Sequence, residues 1–280
     1  MDSPSPNPTP VFSVVVPFFN EADNLPPLIK ELDEMLHALD APAEIILVND
    51  GSTDTYERPE RSPQFPVRWL DLSENSGQSA AMYFGMQAAR GKFIILLDAD
   101  LQNDPFDVPK LYDRLRKENL DLITGIRIAR QDNWVRRASS RLANRVRSFL
   151  LKDNTTDTGC TLKVVRAEAA KRLPAWNGMH RFIPALVKSS GFKIGEAPVS
   201  HRARHAGESK VIGRKRAVRA TTDLLGMLWL SSRQFHGRLK PAPGQEEDAP
   251  ATNPDKPAEE KKPASGGSRP DLEKETSTAG

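Results

Sequence analysis

Five short stretches are apolar or β-branched at almost every position: "VFSVVVP", "EIILVND", "VRWLDL", "KFIILLDAD" and "LDLITG". A strand wetted on one face alternates apolar with polar residues, so nearly unbroken apolar runs predict strands covered on both faces. The intervening segments have a different period. Leu25, Leu28, Ile29, Leu32, Met35, Leu36 and Leu39 recur at steps of three and four, which is one buried face of a helix with polar residues opposite. "SGQSAAMYFGMQAARG" predicts a second helix, entered from a loop and closed at Gly91, and Pro105 suits the start of a third. Between the second and third runs, "YERPERSPQFP" holds three prolines in eleven residues and predicts a loop. Strands alternating with helices predict an α/β fold built on a mostly parallel sheet flanked by helices.

Open sheets of that kind bind ligands beyond the carboxyl ends of their strands. The polar residues gather there: "PFFNE" after the first run, "NDGSTD" after the second, "NSG" after the third and "DADLQ" after the fourth. Four strand ends therefore converge on one predicted site. Asp98, Asp100 and Gln102 alternate, so they share one direction if the extended conformation persists. Crowded carboxylates repel unless a cation or shared proton holds them, and a few hard oxygens suit Mg²⁺ or Mn²⁺ shared with substrate phosphates. The plainer alternative is a solvated turn whose acids cap the next helix. Asp50 and Glu21 suit contacts to a base or ribose; alternatively Asp50 makes an Asx turn with Gly51 and Glu21 caps a helix.

Charge divides the chain. Pro241 to Gly280 holds seven prolines, no aromatic and one large aliphatic, Leu272, so it has nothing with which to build a core. That stretch carries −4 of a total of +3, leaving +7 on residues 1–240, which points to phosphate-bearing partners. Met1 to Pro10 has four prolines and no basic residue, unlike a secretory leader. The apolar runs fall far short of the ~20 residues needed to span a bilayer. A single cysteine, Cys160, excludes an internal disulfide framework and suits a reducing cytoplasm.

From Arg127 through Lys152 there are eight basic residues against one acid, Asp132. Val135, Ala138, Leu142, Val146 and Phe149 form an apolar stripe at helical spacing, with Trp134 at its head. Such a helix either lies on an anionic bilayer or is buried along one side. No helix-turn-helix, zinc or ribonucleoprotein pattern accompanies the charge, so nucleic acid is not an expected partner. "HRARHAGESK" places Arg202, Arg204 and Lys210 around a glycine, as a cationic loop able to close over a diphosphate or as a solvated loop.

Taken in order, "VVVPFFNE", "ILVNDGSTD", "NSGQSAAMYFG", "LLDADLQNDP", "DTGCTLKV", "GMHRFIPAL" and "RHAGESK" resemble the inverting family 2 glycosyltransferases, specifically the polyprenyl-phosphate, dolichol-phosphate mannose synthase-like group, over about Val11 to Trp229. The resemblance implies a Rossmann-like GT-A domain over residues 11–237, ending in amphipathic helices, between a flexible leader (1–10) and a disordered tail (238–280). It implies that Pro17, Phe19, Glu21, Val48, Asp50, Asp98, Ala99, Arg204 and Lys210 bind a UDP- or GDP-linked sugar. Asp98, Asp100 and Gln102 would hold Mg²⁺ or Mn²⁺; Arg127, Arg136 and Ser140 would grip the phosphate of a polyprenyl phosphate; Asp157 would be the catalytic residue, as base or as a group orienting the acceptor. Two positions depart from the pattern: Phe19 replaces a common tyrosine, and Asn49 the first of two aspartates. Transmembrane hairpins that many relatives append are absent, so the expected place is the cytoplasmic face of the membrane, through surface helices or a membrane-embedded partner. Alternative readings are a different, non-lipid acceptor or a non-catalytic nucleotide-binding adaptor at the membrane surface.

Overall fold

The computed structural model describes residues 9–127, 147–151, 153–202 and 213–233. All five apolar runs enter one seven-stranded sheet: β1 (Phe12–Phe18), β2 (Ala43–Asn49), β3 (Val67–Asp71), β4 (Phe93–Leu96), β5 (Leu122–Arg127), β6 (Lys163–Arg166) and β7 (Ile194–Val199), in the spatial order β3-β2-β1-β4-β6-β5-β7. Pairings β1–β2, β2–β3, β1–β4 and β5–β7 are parallel, whereas β6 runs against both β4 and β5. Six strands thus point the same way, and the reversed β6 begins at the edge where the other six end.

Two helices lie where the periodicity predicts them: α1 (Leu25–Ala38), with Pro at its start, and α2 (Gln78–Ala88). The helix after Pro105 begins as one 3₁₀ turn and continues as α3 (Val108–Lys117); Asp104 accepts the Phe106 N–H at 3.1 Å and so caps it. No helix joins β2 to β3, as the prolines require. Side chains alternate along each strand, so β1 divides its residues between two cores. Phe12, Val14, Val16 and Phe18 pack with α1 and α3; Val15 packs with α2 on the opposite face. That second face also receives α4 (Ala167–Lys171), α5 (Ile183–Ser189) and part of α6 (Gly213–Arg233).

Two strands are absent from the hydrophobic pattern. The apolar centre of β6 is only Val164–Val165, and β7 contains Pro198, which a strand tolerates because β7 lies at the sheet edge. The fourth run also leaves the sheet earlier than its sequence suggests. After Leu96 the chain turns at Ala99–Asp100, and Leu101 takes the left-handed conformation (φ 58°). The extended alternation expected through Gln102 therefore does not persist.

Candidate functional site

At the carboxyl ends of β1, β2 and β4 lies a cavity of about 360 Å³ lined by Pro17, Phe18, Phe19, Glu21, Asp50, Asn75, Gln78, Asp98, Ala99 and Asp100. The topology brings these polar strand ends together because β1 lies between β2 and β4 and all three run in parallel, and Asn75, after the neighbouring β3, joins them. Phe19 stands at the surface, 36% exposed, while Asp50 is buried. The Asp50 carboxylate accepts N–H groups from Ser76 (2.8 Å) and Gly77 (2.9 Å), so it fixes the loop that opens α2; it makes that distant contact where an Asx turn with Gly51 was the local alternative. Burial raises its pKa, against the lowering effect of those two N–H groups. Glu21 accepts from the Asn24 amide at 2.5 Å and makes no side-chain cap bond. Val48 is buried in the core beneath α2. Asn49 faces away from the cavity: it donates to Asp71 (2.9 Å) and accepts from the Ser52 N–H (2.8 Å), so an aspartate here would confront Asp71.

Asp98 is held from two directions. Gln78, on the first turn of α2, donates to Oδ1 at 2.6 Å, and the Thr161 hydroxyl donates to Oδ2 at 2.5 Å. Thr161 reaches it because β6 starts at this edge of the sheet. Burial pushes the Asp98 carboxyl up to about 6, helped by the negative charge of Asp100 and opposed by the Thr161 hydrogen bond. Two carboxylates that repel one another in one cavity favour a bound cation, and their hard oxygens match Mg²⁺ or Mn²⁺. The donor set fits such an ion. The Gln102 N–H bonds Asp100 Oδ1 at 3.2 Å, and Gln102 does not line the cavity. Behind Asp98, Lys163 is 2% exposed and donates to the Cys160 carbonyl; burial depresses its pKa.

The sequence profile of glycosyl transferase family 2 matches residues 13–173. The chain belongs to that family. It is 38% identical over 239 residues to dodecaprenyl-phosphate galacturonate synthase of Rhizobium johnstonii, covering 83% of this chain and 69% of that one. It is 34% identical over 220 residues to undecaprenyl-phosphate 4-deoxy-4-formamido-L-arabinose transferase of Edwardsiella ictaluri, covering 77% of this chain and 67% of that one. Among solved structures, glucosyl-3-phosphoglycerate synthase from Mycobacterium tuberculosis, in complex with Mn²⁺, uridine diphosphate and phosphoglyceric acid, superposes with a TM-score of 0.59 at 17% identity, over 80% of this chain and 79% of that one. At that identity the likeness establishes the fold, a GT-A-like α/β domain.

In this glycosyltransferase a second polar group lies at the end of β5 and in the turn that leads into β6. Arg127 and Asp157 form a two-pronged ion pair: Nε donates to Oδ2 and Nη2 to Oδ1, each at 2.8 Å. The backbone N–H groups of Arg127 (3.2 Å) and Gly159 (3.1 Å) fill the remaining carboxylate positions. A Cβ on Gly159 would come 2.6 Å from Arg127 Nη2, so glycine in "DTGC" permits the guanidinium to lie against the turn. Glu196 on β7 secures the same turn, accepting from Thr156 N (2.8 Å) and Thr156 Oγ1 (2.9 Å).

The structure corrects the reading of Arg202 as a diphosphate-closing cation. Its guanidinium is committed to Glu31, at 2.8 Å, and to Asp104, at 2.8 Å. Arg136, Ser140, Arg204 and Lys210, the leader and the 238–280 tail lie outside the described residues, apart from Thr9 and Pro10, as does most of the Trp134–Leu151 helix. Asn75, Gln78, Thr161 and Lys163 carry no functional expectation from sequence. The first three bond through tertiary contacts, and only their position inside "NSGQ" and "DTGCTLKV" marks them. Among the described residues no helix is long and apolar enough to cross a membrane.

Proposed function

We propose that this glycosyltransferase moves a sugar, with inversion, from a nucleotide-sugar donor to a polyprenyl phosphate. The observation that carries the reading is the placement of Asp98 and Asp100 in one cavity with Phe19, Glu21 and Asp50, in a chain whose relatives are named for polyprenyl-phosphate products. Phe19 offers a flat apolar surface for a base, and the acids beside it suit base and ribose donors. Asp98 and Asp100 would hold Mg²⁺ or Mn²⁺, with Gln102 at the margin. When bound, the cation counters the charge that develops on the leaving diphosphate. Gln78 and Thr161 keep Asp98 aimed while that charge builds. Arg204 and Lys210 are proposed as further diphosphate contacts, and Arg136 and Ser140 as contacts to the acceptor.

The acceptor needs little help to become a nucleophile, since a phosphate monoester loses its second proton near pH ~6. Asp157, with four lone-pair directions engaged by Arg127 and Gly159, is suited to orienting Arg127 toward that phosphate instead of removing a proton. The acceptor's chain is apolar, so the enzyme should work at the cytoplasmic surface of a membrane. Support comes from Leu225 and Trp229, 61% and 65% exposed and four residues apart on α6, and from Phe149, 82% exposed.

Transfer of labelled sugar from UDP- and GDP-sugars to undecaprenyl phosphate, with and without Mn²⁺, tests the reading. Asp100→Ala should abolish metal-dependent transfer while keeping the circular dichroism spectrum. Full activity in that variant, or transfer only to water-soluble acceptors, overturns it.

A further inference from the structure

Leu101, between Asp100 and Gln102, adopts a left-handed backbone although it is a buried, non-glycine residue. Such a conformation persists only where the surroundings over-determine it. The surroundings here come from the end of β7. The Arg202 N–H donates to the Gln102 carbonyl at 2.8 Å, Asn103 and His201 form an isolated antiparallel bridge, and the Ser200 N–H donates to Asp107 at 2.6 Å. The Arg202 side chain then crosses the same loop. Nη2 bonds Asp104 and Nη1 bonds both oxygens of Glu31 on α1, so one guanidinium joins the end of β7, the segment after Asp100 and the helix following β1.

We infer that Arg202 is a positioning residue for the cation site: by tying Asp104 to Glu31 it pins the strained Asp100–Asp104 turn in the shape that presents Asp100 to the cavity. This inference rests on the proposal that Asp98 and Asp100 hold a divalent cation. Arg202 itself does not line the cavity, so it acts through the loop and not on the nucleotide. A lysine can meet one of the two acids but cannot reproduce the planar fork that reaches both.

The test is a titration of the full chain with Mn²⁺, followed by electron paramagnetic resonance of free Mn²⁺, with saturating UDP and separately GDP. Loss of a group that orients a ligating loop weakens metal affinity by about 10- to 100-fold. Arg202→Gln should raise the Mn²⁺ dissociation constant by about tenfold or more, Arg202→Lys by less, and at saturating Mn²⁺ kcat should return close to the parent value. Adding Asp104→Asn to Arg202→Gln should cost less than the two separate effects combined, since both act through one contact. If the parent binds Mn²⁺ and Asp100→Asn does not, while Arg202→Gln binds it unchanged, the positioning role is overturned and the cation site stands. If the parent binds no Mn²⁺ with either nucleotide, the cation site fails and this inference fails with it. Should Arg202→Gln not fold, Glu31→Gln removes one arm of the fork; an unchanged Mn²⁺ constant in that folded variant also overturns the role.

Discussion

His180 shows how a buried imidazole takes its charge state from its neighbours. Ser79 Oγ lies 2.6 Å from His180 Nδ1 and accepts the Gly178 N–H at 2.9 Å. A hydroxyl oxygen carries one hydrogen and two lone pairs, so with Gly178 donating into one of them Ser79 still meets Nδ1 of the neutral ring, as donor to one tautomer or acceptor from the other. Burial, then the charges of Arg181 and Lys163, push the His180 pKa down to about 4. An unfolded histidine titrates near ~6.5, so between that pH and the native value the unfolded chain takes up a proton that the native state refuses. Stability contributed by neutral His180 is therefore complete above ~6.5 and falls as pH drops toward about 4, by at most ~1.4 kcal/mol per unit. Urea unfolding at pH 7, 6 and 5 should show this slope, and His180→Gln should flatten it. An identical slope in the variant would mean that other groups carry it.

Helix α2 leaves no room for a side chain at Gly85. A Cβ on Gly85 would collide with Val15 Cγ1 and lie 3.0 Å from Val48 Cγ2, because α2 rests directly on β1 and β2. Alanine gains roughly 0.5–1 kcal/mol over glycine inside a helix, whereas forcing a methyl into a packed core costs typically ~1–3 kcal/mol. Gly85→Ala should thus destabilise by up to about 2.5 kcal/mol and weaken nucleotide binding, since Gln78 and the Ser76 and Gly77 N–H groups move with the helix. Gly226 on α6 has nothing within 4 Å, and Gly226→Ala should be neutral or mildly stabilising. Equal losses in the two variants, measured by urea unfolding, would refute the packing argument. The same scale explains which elements were legible. Strands β1 to β5 announce themselves as nearly unbroken apolar runs, α1 by the three- and four-residue period of its own leucines, and α2 by a helix-forming stretch closed at Gly91. β6 offers two valines between charged ends, and β7 is interrupted by Pro198; both are strands because neighbouring strands supply the hydrogen-bonding partners.

At the scale of the whole molecule, basic charge and exposed apolar side chains should combine at a lipid surface. Each basic residue near an anionic surface contributes about 1 kcal/mol, screened by salt, while Leu225 and Trp229 are insensitive to it. Flotation with phosphatidylglycerol-containing vesicles should show binding that weakens from 50 mM to 500 mM NaCl as a rough span of screening, and Leu225→Ser with Trp229→Ser should lower it at every salt concentration. Arg137, Arg141 and Arg145 replaced by glutamine should remove chiefly the salt-dependent part. Absence of vesicle binding at low salt would place the acceptor's delivery on a partner protein.

What the sequence determined by itself is whatever depends on near neighbours along the chain: the apolar strand runs, the helical segments α1 and α2, the loop forced by three prolines, and the polar residues placed just past each apolar run. These suffice to put Phe19, Glu21, Asp50, Asp98 and Asp100 at strand ends, and a parallel sheet then gathers them. The tertiary structure alone decided how those groups are held. Asp50 is tied to Ser76 and Gly77, Asp98 to Gln78 and Thr161, Asp157 to Arg127, and Arg202 to Glu31 and Asp104, across separations of 20 to 171 residues. A hydrogen bond depends on distance and angle in space, and no local pattern records which distant residue the fold will bring within three ångströms. The same limit separates the expected role of Arg202 from the observed one: its charge is visible in the sequence, but the two carboxylates that claim it are brought to it only when β7 closes against the loop after β4.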